Sequence, residues 1–155
     1  MSASVVLRGG TVIDGTGGPA RRADVLIRDG EIIDIGTFDA GSFNWMPDGV
    51  FVNSPQFLER LGRTLTELKI KPEFEIFDVS QMYALQRLLD THGLPFGGKV
   101  HVDFVTGVPG GMPATTAALM AGVAMLPAEV TSWSATGIGR GHLPIMAAAL
   151  SAGGH

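Results

Sequence analysis

Glu75 carries the most promising chemistry. In Glu73-Phe74-Glu75-Ile76-Phe77, strand alternation sets Glu75 on the opposite face from Phe74 and Ile76. A carboxylate near the end of a parallel strand is costly to bury unless it is paired or used. It suits work on a substrate; a strand-end salt bridge is the structural alternative. Asp78, just beyond, reads as a helix N-cap. Ser42 and Asn44 have donors for a carboxylate or thioester oxygen, although both are at home in any turn. The Gly107–Gly111 loop can offer backbone N–H groups to an anion, or it is simply a βα turn before a Pro-started helix. Arg140, in Gly137-Ile138-Gly139-Arg140-Gly141, suits a phosphate, or is a solvated loop arginine. That glycine run is not the dinucleotide fingerprint, whose third glycine falls one residue later and whose ribose-binding acid is absent. His92 and His101 read as a helix-end and a strand residue, His142 as a helix start and His155 as terminal. No pair stands at ligand spacing and cysteine is absent, so no metal site is assigned.

These residues need elements to hold them. From Thr37 onward the rhythm is strand, loop, helix. Thr37–Ala40 leads to Gly41-Ser42, and a helix over Ser54–Ile70 has Pro55 in its first turn with Leu58, Leu61, Leu65 and Leu68 at helical spacing. Then come a strand at Phe74–Phe77, a helix over Tyr83–Leu89 and a strand at Val100–Val105. A helix opened by Pro113 runs to Leu126, followed by a strand at Val130–Ser134 and a helix over Leu143–Leu150. Alternation of this kind predicts parallel βα units with helices outside a curved sheet. Pattern alone does not separate a barrel from a doubly wound sheet. Glycine-rich loops after the strands favour a barrel, whose sites gather at the C-terminal strand ends. Eight strands close such a barrel, so about half is present. Residues 5–36 carry strand signals only: Val5–Arg8, Thr11–Asp14, Asp24–Arg28 and Glu31–Ile35, the last two flanking a hairpin signal at Asp29-Gly30. The expected class is α/β, a partial TIM (β/α) barrel of about four βα units after a small antiparallel β segment. The domains fall at 1–36 and 37–155.

Composition narrows the rest. The chain has 155 residues, 45% of them hydrophobic and 17% charged, a globular balance. A net charge of −4 and scattered basic residues offer no footprint for nucleic acid or anionic membrane. The longest apolar stretch, Ala117–Met125, is broken by Gly122 and is too short to span a bilayer. The absence of cysteine excludes disulfides and suits a cytoplasmic setting.

Several motifs occur in a specific order: Gly41-Ser42-Phe43-Asn44-Trp45, Lys71-Pro72-Glu73-Phe74-Glu75-Ile76-Phe77-Asp78, Val105-Thr106-Gly107-Val108-Pro109-Gly110-Gly111-Met112-Pro113-Ala114-Thr115 and Trp133–Arg140, then Leu143-Pro144 and Gly153-Gly154-His155. Together they resemble the β-keto acid cleavage enzymes, which include 3-keto-5-aminohexanoate cleavage enzyme. The resemblance implies a TIM-barrel acyltransferase with one catalytic zinc. Such an enzyme exchanges acyl groups between a β-keto acid and acetyl-CoA, its co-substrate, yielding acetoacetate and a new acyl-CoA. It also implies that Glu75 faces the substrate as the catalytic residue. Substrate-binding candidates are Thr37, Asp39, Ser42, Asn44, Thr106, Gly107, Gly110, Gly111 and Arg140, the last for a CoA phosphate.

The family takes zinc ligands from a His-x-His on an early strand and a Glu on the last strand. No His-x-His occurs here, and the sequence stops before the segment where that Glu would lie. The expectation is a fragment with binding walls, inactive as it stands, working as a homo-oligomer or with a partner that supplies strands. A non-catalytic piece that completes a barrel is the alternative. Residues 1–36 resemble instead the N-terminal β-sandwich strands of amidohydrolases such as N-acyl-D-amino-acid deacylases. This implies a junction near Gly36-Thr37 and, as a third reading, a metal-dependent amide hydrolase.

Overall fold

The computed structural model describes residues 4–12, 21–28, 35–47 and 49–155, with side chains from Thr37 onward. The chain divides into two compact units, Met1–Asp34 and Ile35–His155.

In the first unit, β1 (Ser4–Val12) pairs antiparallel with β2 (Arg21–Arg28), from Ser4 opposite Arg28 to Val12 opposite Arg21. Gly9-Gly10 was expected to separate two strands. Instead β1 runs through them, with the register slipping between Leu7 and Gly10. A strand absorbs glycines in this way at a bulge. The hairpin expected at Asp29-Gly30 lies outside the described residues.

In the second unit, β3 (Ile35–Asp39), β6 (Lys71–Ile76), β7 (Val100–Thr106) and β8 (Val130–Gly137) form one parallel sheet in the order β3-β6-β7-β8. Between them run α1 (Pro55–Glu67), α2 (Gln81–His92) and α3 (Thr116–Val123), and α4 (His142–Ser151) follows β8. The α/β class and the four βα units therefore stand. Spatial order equals chain order, whereas a doubly wound sheet reverses at a switch point. The two faces also differ. Phe38, Phe74, Ile76, Val102 and Phe104 are buried in one core with Leu58, Leu85, Leu119 and Ile145 of the helices. The opposite face carries Asp39, Glu75 and Asp103 in one register row. One dry face and one polar face describe a barrel wall rather than a sheet covered on both sides.

Local rules explain the helix starts. The Ser54 hydroxyl accepts from Phe57 N at 3.2 Å, with Pro55 opening α1. Lys69, at φ 57°, ends the helix beyond Leu68, which is exposed. Two helix starts and one loop differ from expectation. Asp78 is not the cap of α2: Ser80 holds that position, and the Asp78 carboxylate accepts from Ser80 N at 2.9 Å. Pro113 does not open α3, which begins at Thr116 with Thr115 as cap, accepting from Ala118 N at 3.2 Å. Gly41–Trp45 is more than a loop: β4 (Phe43–Trp45) and β5 (Gly49–Phe51) form a short hairpin before α1.

Candidate active site

Parallel register turns separate strands into rows. Thr37, Glu73, His101 and Ser132 share one level of the polar face. One step toward the C-terminal ends, Asp39, Glu75, Asp103 and Ser134 share the next. His155 extends that row: its N–H donates to the Trp133 carbonyl at 3.1 Å, and its carbonyl accepts from Ala135 N at 3.3 Å. That alternation places His155 opposite Ser134, as in a parallel ladder.

Glu75 stands between two carboxylates. Its carboxyl is raised from 4.5 to about 7, first by burial, then by the charge of Asp39 and the hydrogen bond it makes to it, then by Asp103 and Glu73. It therefore holds a proton near neutrality, the state in which a carboxyl can both donate and accept. Above the row lies a small apolar roof of Phe43, Phe77 and Val105, with Phe43 and Phe77 stacked at 4.6 Å between ring centroids. Strand alternation carries Phe77 and Val105 one step beyond Glu75 and Asp103 on the same face, so the roof contributes to the burial felt by Glu75.

The Asp103 carboxylate accepts from the Ser134 hydroxyl at 2.6 Å and from the Thr136 hydroxyl at 2.8 Å. His101 lies between two serines, Nδ1 at 2.8 Å from Ser132 Oγ and Nε2 at 3.1 Å from Ser134 Oγ. Burial lowers the imidazole below its usual value, and Lys71 and His155 add to this; Glu73 and Asp103 oppose it. His101 and Asp103 were not among the expected site residues. Their signal was visible as polar residues at period two, His101-x-Asp103 and Ser132-x-Ser134-x-Thr136, between Val102, Trp133 and Ala135 on the core side.

The structure gathers some expected site residues and diverts others. Thr37, Asp39 and Glu75 share the polar face. Ser42, Asn44 and Gly110 line a rim cleft of about 380 Å³ with Phe43, Val50, Asp78 and Ser80. The Ser42 hydroxyl is committed to Asn53, donating to its carbonyl at 3.1 Å and accepting from its N–H at 2.8 Å. Gly110 has φ 96°, and a Cβ there would overlap the Asn44 carbonyl. Only glycine lets this loop close on the hairpin. A Cβ at Gly111 would stand 2.8 Å from the Phe77 carbonyl oxygen, and one at Gly107 3.1 Å from that of Ile138, so the turn after β7 lies against the turns after β3, β6 and β8 along one rim. Arg140 lies exposed in a single 3-10 turn, Gly139–Gly141, past β8. Thr106 is the correction: it lies fully buried on the core face, its hydroxyl donating to the Thr136 carbonyl at 3.2 Å. Another cleft, about 500 Å³, lies between α1 and α2 on the helix side and includes none of the row.

The polar face does not fit the zinc that the resemblance implies. Both imidazole nitrogens of His101 meet serines, and both oxygens of Asp103 meet hydroxyls. Among the described residues no three His, Cys, Asp or Glu side chains converge on a metal position.

A family model described as beta-keto acid cleavage enzyme matches residues 4–155. The chain is 30% identical over 122 residues to the 3-keto-5-aminohexanoate cleavage enzyme of Acetoanaerobium sticklandii, covering 79% of this chain and 44% of that protein. It is 34% identical over 123 residues to the 3-dehydrocarnitine:acetyl-CoA trimethylamine transferase of Rhizobium meliloti, covering 79% of this chain and 40% of that one. It is 32% identical over 124 residues to the 3-oxoadipate:acetyl-CoA acetyltransferase of Cupriavidus necator, covering 79% and 43%. The chain thus spans less than half the length of these relatives. With the match running through both units and the ordered strand-end turns meeting at one rim, the chain belongs to the β-keto acid cleavage enzyme family.

Proposed function

We propose that this chain supplies the substrate wall of an acetyl-CoA-dependent β-keto acid cleavage site, with Glu75 as its acid–base residue. The reaction exchanges acyl groups: R–CO–CH₂–COOH and CH₃–CO–SCoA become CH₃–CO–CH₂–COOH and R–CO–SCoA. The names of two relatives include acetyl-CoA, which supports it as co-substrate here. The observation that carries the reading is the row itself. Asp39, Glu75 and Asp103 stand side by side on adjacent strands, Asp39 and Glu75 near their C-terminal ends, with Glu75 titrating near neutrality. A neutral Glu75, hydrogen-bonded to Asp39, has a proton to share with an oxygen that gains charge as the carbon–carbon bond rearranges. Asp39 holds that proton against water. The rim hairpin and the Gly107–Gly111 turn enclose the approach, and the exposed Arg140 would be the cation for an anionic acyl carrier.

The chain alone is expected to bind and not to turn over. Titration calorimetry with a β-keto acid and with acetyl-CoA, alongside a coupled assay for acetoacetate, tests this. Glu75→Ala should weaken keto-acid binding about tenfold, the order of one hydrogen bond to a charged group. Loss of acetyl-CoA binding in the same variant, or no keto-acid binding by the parent chain, would overturn the assignment.

A second reading, a piece that completes a barrel with another chain, is favoured by the bonds between His155 and β8. They support an outer edge of β8 that accepts a further parallel strand. Light-scattering mass decides: a monomer at every concentration would count against it.

A further inference from the structure

The hydrogen bonds around His101 can be assigned by donor accounting. A carboxylate only accepts, so the Ser134 hydroxyl, 2.6 Å from Asp103 Oδ1, gives its single proton there. Ser134 Oγ must then accept from His101 Nε2 at 3.1 Å, which puts the ring proton on Nε2. In the neutral ring Nδ1 is bare, and it accepts from the Ser132 hydroxyl at 2.8 Å. Every proton in the sequence Ser132, His101, Ser134, Asp103 points the same way, and the Thr136 hydroxyl closes the other side of the carboxylate at 2.8 Å. Nothing in substrate binding as described above uses His101 or Ser134, yet both lie beside the row that does.

We propose that His101 and Ser134 are positioning residues: a one-way hydrogen-bond relay from Ser132 through His101 and Ser134 fixes the Asp103 carboxylate beside Glu75. Ser134 also acts as a spacer. His101 and Asp103 lie two residues apart on one face of β7, and without the intervening hydroxyl the ring could take a second proton and pair with Asp103 directly. With it, the ring stays neutral and Asp103 keeps its full negative field on Glu75. The charged groups around the ring are Lys71 and Glu73 from β6, Asp103 on its own strand and His155 beyond β8; those around Glu75 are Asp39, Asp103 and Glu73. The importance of the relay for catalysis rests on the acid–base reading of Glu75, whereas its existence does not.

The test is nitrogen and carboxyl-carbon NMR on the whole chain, without turnover. The parent should show His101 as the Nε2–H tautomer, with a titration below that of an ordinary histidine. Ser134→Ala should raise that titration. His101→Leu should lower the Glu75 titration by no more than the share that Asp103 contributes, which ranks after burial and Asp39, while His101→Gln, which keeps a donor at the Nε2 position, should hold it near 7. An Nδ1–H tautomer, an imidazolium at neutral pH, or a Glu75 titration unmoved in His101→Leu would overturn the relay. If His101→Leu fails to fold, the parent tautomer and the Ser134→Ala titration still decide. Should Glu75→Ala leave keto-acid binding intact while the tautomer is as assigned, the functional reading fails and the relay stands.

Discussion

Glu75 concentrates the consequences of placing three carboxylates in one row. Because its folded value, about 7, lies above the ordinary 4.5, the folded chain binds its proton more tightly than the unfolded chain does. The resulting stability is fully present below about pH 4.5 and is lost as pH rises through about 7. Denaturant midpoints should therefore fall between about pH 5 and about pH 8, modestly because the carboxyl is partly solvated, and Glu75→Gln should flatten that slope. Asp39→Asn should lower the Glu75 titration, since it removes the charge and the acceptor that hold the proton; a titration that stays near 7 would assign the shift to burial with Asp103 and Glu73. Alternation in Glu73–Phe77 made the face of Glu75 legible in the sequence. The neighbours that give it its character were not, because which residue of β7 stands opposite Glu75 depends on strand register, which is not written locally.

At the scale of elements, the helices were legible where apolar spacing was strong and less so at their ends. Leu58, Leu61 and Leu65 placed α1, but Pro113 and Asp78 looked like better starts than Thr115 and Ser80, since several residues before a helix can offer the same cap chemistry. The β4–β5 hairpin escaped notice because three-residue strands leave no period to detect. Packing of α3 on the sheet depends on Gly122, where an added Cβ would stand 2.6 Å from the Phe104 ring. Phe104 is fully buried and has little room to yield. Gly122→Ala should therefore destabilise by roughly 1–3 kcal/mol through overpacking, less up to about 1 kcal/mol returned by helix propensity. A thermal melt that rises in the variant would show that the ring moves aside.

For the molecule as a whole, composition and rhythm pointed to the class, and strand order with face polarity distinguished a barrel wall from a doubly wound sheet. The second unit has its own core, from Phe38 to Ala149. Deleting residues 1–34 should leave its cooperative thermal transition within a few degrees, which circular dichroism can check; loss of the transition would make the first unit part of its folding.

The polar face of the four-stranded sheet bears on how a barrel could close over it. Its hydroxyls, carboxylates and imidazole already satisfy one another, so water can cover the row itself, with Phe43, Phe77 and Val105 buried against each other beside it. Closing the cylinder would then be governed by main-chain pairing along the lateral margins, which depends on register and direction, rather than by indiscriminate hydrophobic collapse.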